Sequence, residues 1–307
     1  SNRFAPCKTQ PTAASEMTAT ELERERGTSL TRDAFARLRR NSLAMAGAYV
    51  LALLVVLAVL TPWIAPYSYE GQDLELGASP PSLKHWLGTD ELGRDQLTRI
   101  LYGSRVSLMV GFIATSVALL IGVWWGAAAG FFGGRVDTVM MRFVDALYAV
   151  PFTIFVILLT VVFKKSLLLL FLAIGAVEWL TMARIVRGQV LTLKEQEFVQ
   201  AAVTIGLSRW QIIGRYLIPN AIGPVIVYTT LPIPSVILLE SFLSFLGLGV
   251  QPPESSWGSL ISSGVETMEE YPWLLIFPGL TLSVTLFALN FLGDGLRDAF
   301  DPRTSGD

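Results

Sequence analysis

The chain has 307 residues, of which 52% are apolar and 16% charged, with a net charge of −2 and a mean hydropathy of +0.53. A soluble domain carries about a quarter of its residues as charges, so this composition is that of a membrane protein with short polar connections, and its charge gives no reason to expect a nucleic-acid partner. Cys7 is the only cysteine and His85 the only histidine, which excludes a disulfide framework, a Cys/His zinc site, a haem bundle and a Cys–His nucleophile made within this chain. The sequence has neither a GxxxxGKS/T phosphate loop nor a Rossmann fingerprint, so any nucleotide energy must be bound by another chain.

Residues 1–41 are polar and end in Arg37, Arg39 and Arg40; they are expected to form a cytoplasmic tail, disordered over 1–16, with Met17 a candidate initiator. The first apolar run begins after Asn41 and is too long for the core of a cleavable signal peptide. Residues 32–40 read either as a surface helix with Phe35 and Leu38 turned to lipid or as a solvated basic tail. A span needs roughly 20 apolar residues, and six segments qualify: 42–62, 106–131, 143–163, 166–184, 221–247 and 273–293. A long extracytoplasmic loop, 63–105, follows the first of them. The other five make a core over 106–293 that contains a polar hairpin at 194–219, and 294–307 is a second cytoplasmic tail. Gly122, Gly126 and Gly130 recur every fourth residue in the second span, a spacing that lets a neighbouring helix approach closely.

Sidedness follows from Lys and Arg. With both termini in the cytoplasm, 17 of the 23 basic residues fall inside, and only the Lys164–Lys165 hairpin dissents. The loop at 63–105 is acid-rich and is expected to cover a pore mouth or meet a partner. His85 within it reads as an exposed residue, and Trp257 and Trp273 as interfacial anchors.

The stretch QEFVQAAVTIGLSRWQIIGRYLIPN, 196–220, stands apart from the spans around it. Phe198, Ala201, Ala202 and Ile205 fall at helical spacing and predict one apolar stripe. Gly206 predicts a helix stop, Ser208–Gln211 a capping box opening a second helix, and Pro219 the end of that helix. Such a helix–Gly–helix hairpin either docks into another protein's groove or lies on the membrane.

Three acids sit at or near membrane depth, where an uncompensated charge costs roughly 2.5–3.5 kcal/mol on insertion scales. Asp145 is expected to pair with Arg142 on its own helix; Glu178 and Glu240 either line a transport path or hold helices together. Pro232 and Pro234 interrupt the fifth span, as a gate or as a static kink.

The 196–220 stretch resembles the Glu-Ala-Ala loop of ATP-binding-cassette (ABC) importer permeases. It carries Gln200-Ala201-Ala202, then Gly206, then Tyr216-Leu217-Ile218-Pro219, with Gln for Glu at 200, Tyr for Ile at 216 and Ile for Leu at 218. Five further stretches are similar to the oligopeptide and dipeptide permease family: HWLGTDELGRDQLTRILYGSRVSL (85–108), GGRVDTVMMRFVDALYAVPF (133–152), MARIVRGQVLTLKEQEFVQAA (182–202), ESFLSFLGLGVQPPESSWGSLI (240–261) and GDGLRDAFDPR (293–303). They run in family order, and the C-type membrane subunit of the oligopeptide importer is the nearest in kind. The resemblance implies an all-α type I importer core of six transmembrane helices in a bacterial inner membrane, working by alternating access. Its implied partners are a homologous permease subunit, two cytoplasmic ATPases that hold the ATP and magnesium, and an extracytoplasmic peptide-binding protein. No cofactor is implied in this chain. Coupling to an ATPase would rest on Glu197, Gln200, Ala201, Ala202, Gly206 and Arg209. Import of dipeptides, glutathione or nickel chelates is an alternative within the family. A stand-alone secondary transporter or a membrane scaffold is the alternative outside it.

Overall fold

The computed structural model describes residues 30–151, 154–155, 158 and 167–300. The expectations for 1–16 and Met17, for the Lys164–Lys165 hairpin, for the later part of the 143–163 span and for the chain beyond Phe300 lie outside the described residues. Among those described, regular structure is helical; the only extended pairing is an isolated bridge between Thr89 and Asp95.

The helices are α1 (Leu30–Arg40), α2 (Ser42–Ile64), α3 (Gln96–Phe132), α4 (Gly134–Tyr148), α5 (Leu167–Lys194), α6 (Glu197–Thr204), α7 (Arg209–Ile212), α8 (Ile218–Thr230), α9 (Ile233–Phe245), α10 (Trp257–Glu266) and α11 (Trp273–Phe300). A π turn, Ile213–Leu217, joins α7 to α8. Among the described residues four stretches are long and apolar enough to cross a membrane: Ser42–Ile64, Gln96–Phe132, Val227–Phe245 and Trp273–Phe300. The 28-residue α5, which carries Glu178, Arg184 and Arg187, is not one of the four.

The centre of the fold is the long contact of α3 with α5. The glycines at four-residue spacing make it possible: a methyl group on Gly126 would overlap the Ala183 carbonyl, and one on Gly122 would meet Met182 and the Trp179 carbonyl. Further along, Gly130 faces Val190 and the Arg187 carbonyl. Lipid is as apolar as leucine, so close backbone approach rather than expulsion of water is what binds such helices. A second seam of the same kind sets α2 on α11, where Gly47 abuts the Ala288 backbone and Gly295 abuts Ala44. Asn41 caps α2 by accepting from the Ala44 amide at 3.1 Å. The outward face of α2 exposes Leu53, Val55, Val56 and Val59, as a lipid-facing helix should.

Four expectations need correction. In α1, Phe35 is exposed but Leu38 is buried with Ala34, Ala44 and Ala299, because the helix lies on the inner end of α11 rather than on lipid alone. Trp257 is fully buried and donates from Nε1 to Ser104 Oγ at 3.1 Å, so it is core and not an interfacial anchor. Asp145 pairs with Arg184 of α5 at 2.9 Å, not with Arg142; a cation presented by the packed neighbour wins over the one three residues back. His85 is not exposed: its ring stacks on Tyr67 and its Nδ1 lies 2.9 Å from Asp95 Oδ1.

That last contact belongs to a strap that fixes the 63–105 loop to the N-terminal end of α3. Asp95 caps α3 by accepting from the Thr98 amide and hydroxyl, both at 2.8 Å. Asp90 accepts from Arg94 Nε at 2.7 Å and Arg99 Nη1 at 2.5 Å, and Trp273 Nε1 donates to the Thr89 carbonyl at 3.2 Å.

The glycine seam yields a direct expectation. Gly126→Val should lower the thermal midpoint of the detergent-purified protein through a loss of about 1–3 kcal/mol, since overpacking a closed contact costs about that much. Gly188, beside which an added methyl meets nothing, should accept alanine without a measurable shift.

Candidate functional site

The hairpin begins where α5 ends. Helix α6 buries Val199 and Ala202 and half-buries Phe198 against α5 residues Val186 and Val190 and against Ile212, Ile213 and Leu217. The apolar stripe is therefore rotated from the expected one. Ala201 faces outward and Ile205 is 78% exposed. The helix has only 8 residues and ends at Thr204, so the position seven after Phe198 falls beyond it.

Gly206 terminates α6 at φ +84°, a conformation in which a side chain is strained even where space is open. The Leu207 amide donates to the Ala202 carbonyl at 3.2 Å and the Gly206 amide to the Val203 carbonyl at 3.0 Å, the paired bonds of a Schellman stop. Two residues on, Ser208 and Gln211 cap one another, with the Ser208 amide donating to Gln211 Oε1 at 3.0 Å and the Gln211 amide to Ser208 Oγ at 3.3 Å. Six residues thus turn the chain with its end groups satisfied.

Pro219 does not close the second helix as its spacing predicts. The chain stays helical from Arg209 to Thr230, passing through the π turn just before the proline. Pro219 has no N–H for the Arg215 carbonyl, and its ring would crowd that carbonyl in a straight α-helix. The wider turn, in which the Ile218 amide donates to the Ile213 carbonyl, relieves both problems. The hairpin is therefore continuous with the helix that follows it.

Its outer surface presents Ala201, Val203, Ile205 and Trp210, the last three 56%, 78% and 59% exposed. Glu197 stands exposed in the first turn of α6, and Gln200, also exposed, donates to the Glu195 carbonyl at 3.2 Å. Arg209 lies over the Phe132 ring, 5.7 Å from its centre, and Trp210 meets the same ring edge-on at 5.6 Å. The residues named from the sequence are thus gathered on one compact feature, anchored at Phe132 to the C-terminal end of α3. Val203, Ile205 and Trp210 extend that surface, and only the true direction of the α6 stripe reveals the first two.

Deeper in the protein the two remaining acids part company. Glu240 on α9 is fully buried, and its carboxylate accepts from Ser244 Oγ at 2.7 Å, Ser107 Oγ at 3.1 Å and Ser241 Oγ at 3.5 Å. Ser256 Oγ donates to Ser244 Oγ at 3.2 Å, and the Trp257 amide to Ser107 Oγ at 3.2 Å, so α3, α9 and α10 meet on this one carboxylate. The serines escaped notice because they are scattered through apolar sequence; small polar residues within spans were the available signal. Glu178 on α5 is half-buried beside a cavity of about 450 Å³ lined by Leu147, Tyr148, Pro151, Phe155 and Trp179 among others. No hydrogen bond or ion pair reaches it from the described residues.

Pro232 lies in the break between α8 and α9, and Pro234 in the first turn of α9. Thr230 Oγ1 donates to the Val227 carbonyl at 2.9 Å and Thr229 Oγ1 to the Val225 carbonyl at 2.6 Å, so hydroxyls serve the backbone next to the break. Among the described residues no three of His, Cys, Asp and Glu gather as metal ligands.

With this geometry in hand, the comparisons with known proteins agree on one family. Residues 98–306 match the family model described as a binding-protein-dependent transport system inner membrane component. Residues 29–81 match the N-terminal transmembrane domain of oligopeptide transport permease C. The oligopeptide transport system permease protein OppC of Haemophilus influenzae is 49% identical over 279 residues, 90% of each chain. The dipeptide transport system permease protein DppC of Bacillus subtilis is 48% identical over 276 residues, 90% of this chain and 86% of that one. A chain of the MetNI methionine ABC transporter in an inward-facing conformation superposes with a TM-score of 0.55 at 15% identity, over 66% of this chain and 96% of that one, which shows a shared fold. The chain belongs to the binding-protein-dependent inner membrane components, the permease subunits of ABC importers.

Proposed function

We propose that this chain is a pathway-forming permease subunit of an oligopeptide importer and that the α6–α7 hairpin is its coupling element. The observation that carries the second half is a rigid hairpin with an outward apolar surface, joined without interruption to α8. Glu197, Gln200, Ala201, Ala202, Gly206 and Arg209 set the shape and polar edge of that surface, and Ile205 and Trp210 supply the apolar contact for a groove on a cytoplasmic ATPase. ATP and magnesium reside on that ATPase. When the ATPase pair closes on ATP, the hairpin is displaced and α8 carries the displacement to the break at Pro232 and Pro234. A lever of this kind requires stiffness at Gly206 and freedom at the break, and the two differ in that sense here.

Binding of ATP and of peptide then bias one alternating-access equilibrium between inward-open and outward-open states. The reading includes a second, homologous permease subunit, two ATPases and an extracytoplasmic peptide-binding protein in a bacterial inner membrane. It retains the layout of a tail at 1–41, a first span at 42–62, an extracytoplasmic loop at 63–105, a core at 106–293 and a tail at 294–307, with six spans and both termini cytoplasmic. Glu178, open to a cavity, is the path-lining acid of the two named; Glu240, enclosed by serines, fastens helices. Oligopeptide permeases among the relatives support the substrate, and the DppC relative at 48% identity keeps dipeptides as a second reading.

Two outcomes follow. Gly206→Val should leave the protein in the membrane but reduce ATP-driven peptide uptake by at least about tenfold, because holding a β-branched residue at positive φ costs of order 1–3 kcal/mol and distorts the turn; uptake in vesicles beside ATPase turnover measures the uncoupling, and normal uptake would sink the assignment. Glu240→Gln should assemble normally, while Glu240→Ala, which leaves several hydroxyls without an acceptor, should cost about 2 kcal/mol or more, read as a lower thermal midpoint.

A further inference from the structure

Asp145, Glu178 and Glu240 are the acids nearest membrane depth, and the protein satisfies two of them internally. Asp145 has Arg184 at 2.9 Å, and Glu240 has its serines. Nearby, Asp137 has Arg187, through a two-pronged contact. Arg184 and Arg187 of α5 are thus already committed to acids on α4. Glu178, one to two turns further into the same helix, receives none of them. An acid kept at such depth, with no counter-charge among the described residues, is open to compensation by a cation that arrives.

Two further features point to what arrives. Glu178 stands between two spaces. One is the cavity of about 450 Å³, large enough for a side chain and its neighbouring peptide units, with Phe155 and Trp179 in its wall; Tyr148 lines it too, but its ring is already covered by the Arg184 guanidinium, 4.4 Å from the ring centre. Aromatic faces beside a carboxylate suit a cation and give nothing to an anion. The other space is a void of about 10 Å³ shared with Thr115, Thr181, Thr229 and Pro232, room for a single water. Thr115, which lines it, is only 6% exposed, and its Oγ1 has no hydrogen-bond partner among the described residues. One water there would link the Thr115 hydroxyl to the carboxylate and steady it toward the larger cavity.

We propose that Glu178 is a waypoint for the cationic side chains of the transported peptide, such as the ammonium of a lysyl residue. The assignment rests on the peptide-pathway reading above and adds to it a charge preference within the membrane subunit, separate from any selection by the binding protein. Because Pro232 lines the same small void, a cation drawn to Glu178 sits next to the break between α8 and α9.

The test uses the full importer with its binding protein in proteoliposomes, and compares trilysine with trialanine as substrates. The ratio of their uptake rates removes the contribution of the N-terminal ammonium common to both. Glu178→Gln should lower the trilysine-to-trialanine ratio by about tenfold, the loss expected for one charge-assisted contact, while Glu178→Asp keeps most of it. Trialanine-stimulated ATPase turnover in each variant verifies folding and assembly. An unchanged ratio in a Glu178→Gln importer that still transports trialanine overturns the waypoint. If the unaltered importer transports neither peptide, the peptide-pathway reading fails instead.

Discussion

Everything in this molecule is hung on the approach of α3 to α5. Gly122, Gly126 and Gly130 let the two backbones come close enough that a single methyl group would not fit at Gly126. In lipid that closeness matters more than in water, because no solvent gains by the helices' meeting. The inner end of the seam, Phe131 with Val186 and Val190, is also the floor on which Val199, Ala202, Ile213 and Leu217 rest. The hairpin is thus seated on the end of that seam.

Seating alone would not make a lever. The Schellman stop at Gly206 and the capping box at Ser208 leave few degrees of freedom in the turn, and the π turn before Pro219 keeps the helix unbroken into α8. The helical run breaks next at Pro232, where threonine hydroxyls serve neighbouring carbonyls. The charges follow the same division. Arg184 and Arg187 of α5 are paired with Asp145 and Asp137 of α4, Glu240 binds α3, α9 and α10 together, and Glu178 opens on a cavity.

Much of this was legible in the sequence because it is local. Glycine at four-residue spacing, Ser-x-x-Gln as a cap and Gly206 as a stop each act within one or two turns, and each stands where the residues place it. What escaped depends on partners far away in the chain. The stripe on α6 is set by α5 and the π turn, not by the helix's own spacing, and so it rotated to Val199. Asp145 reached Arg184, 39 residues on, and Glu240 reached Ser107 across 133 residues; no periodicity announces either contact. Pro219 was misread for a different reason: a helix can absorb a proline by widening one turn, and sequence alone does not distinguish that from a stop. His85 and Trp257 look like surface residues by type, and burial in a strapped loop and in a serine-lined core reversed both.

The central claim is that the exposed apolar surface of the hairpin meets an ATPase and not the lipid surface. A photoactivatable cross-linker attached at Ile205→Cys, in a Cys7→Ser background and in native membranes, decides between them. One cytoplasmic ATPase subunit is the expected principal adduct, with the yield changing when ATP is trapped. Capture of phospholipid alone, in membranes where the importer remains assembled, would contradict it and return the hairpin to the status of an interfacial loop.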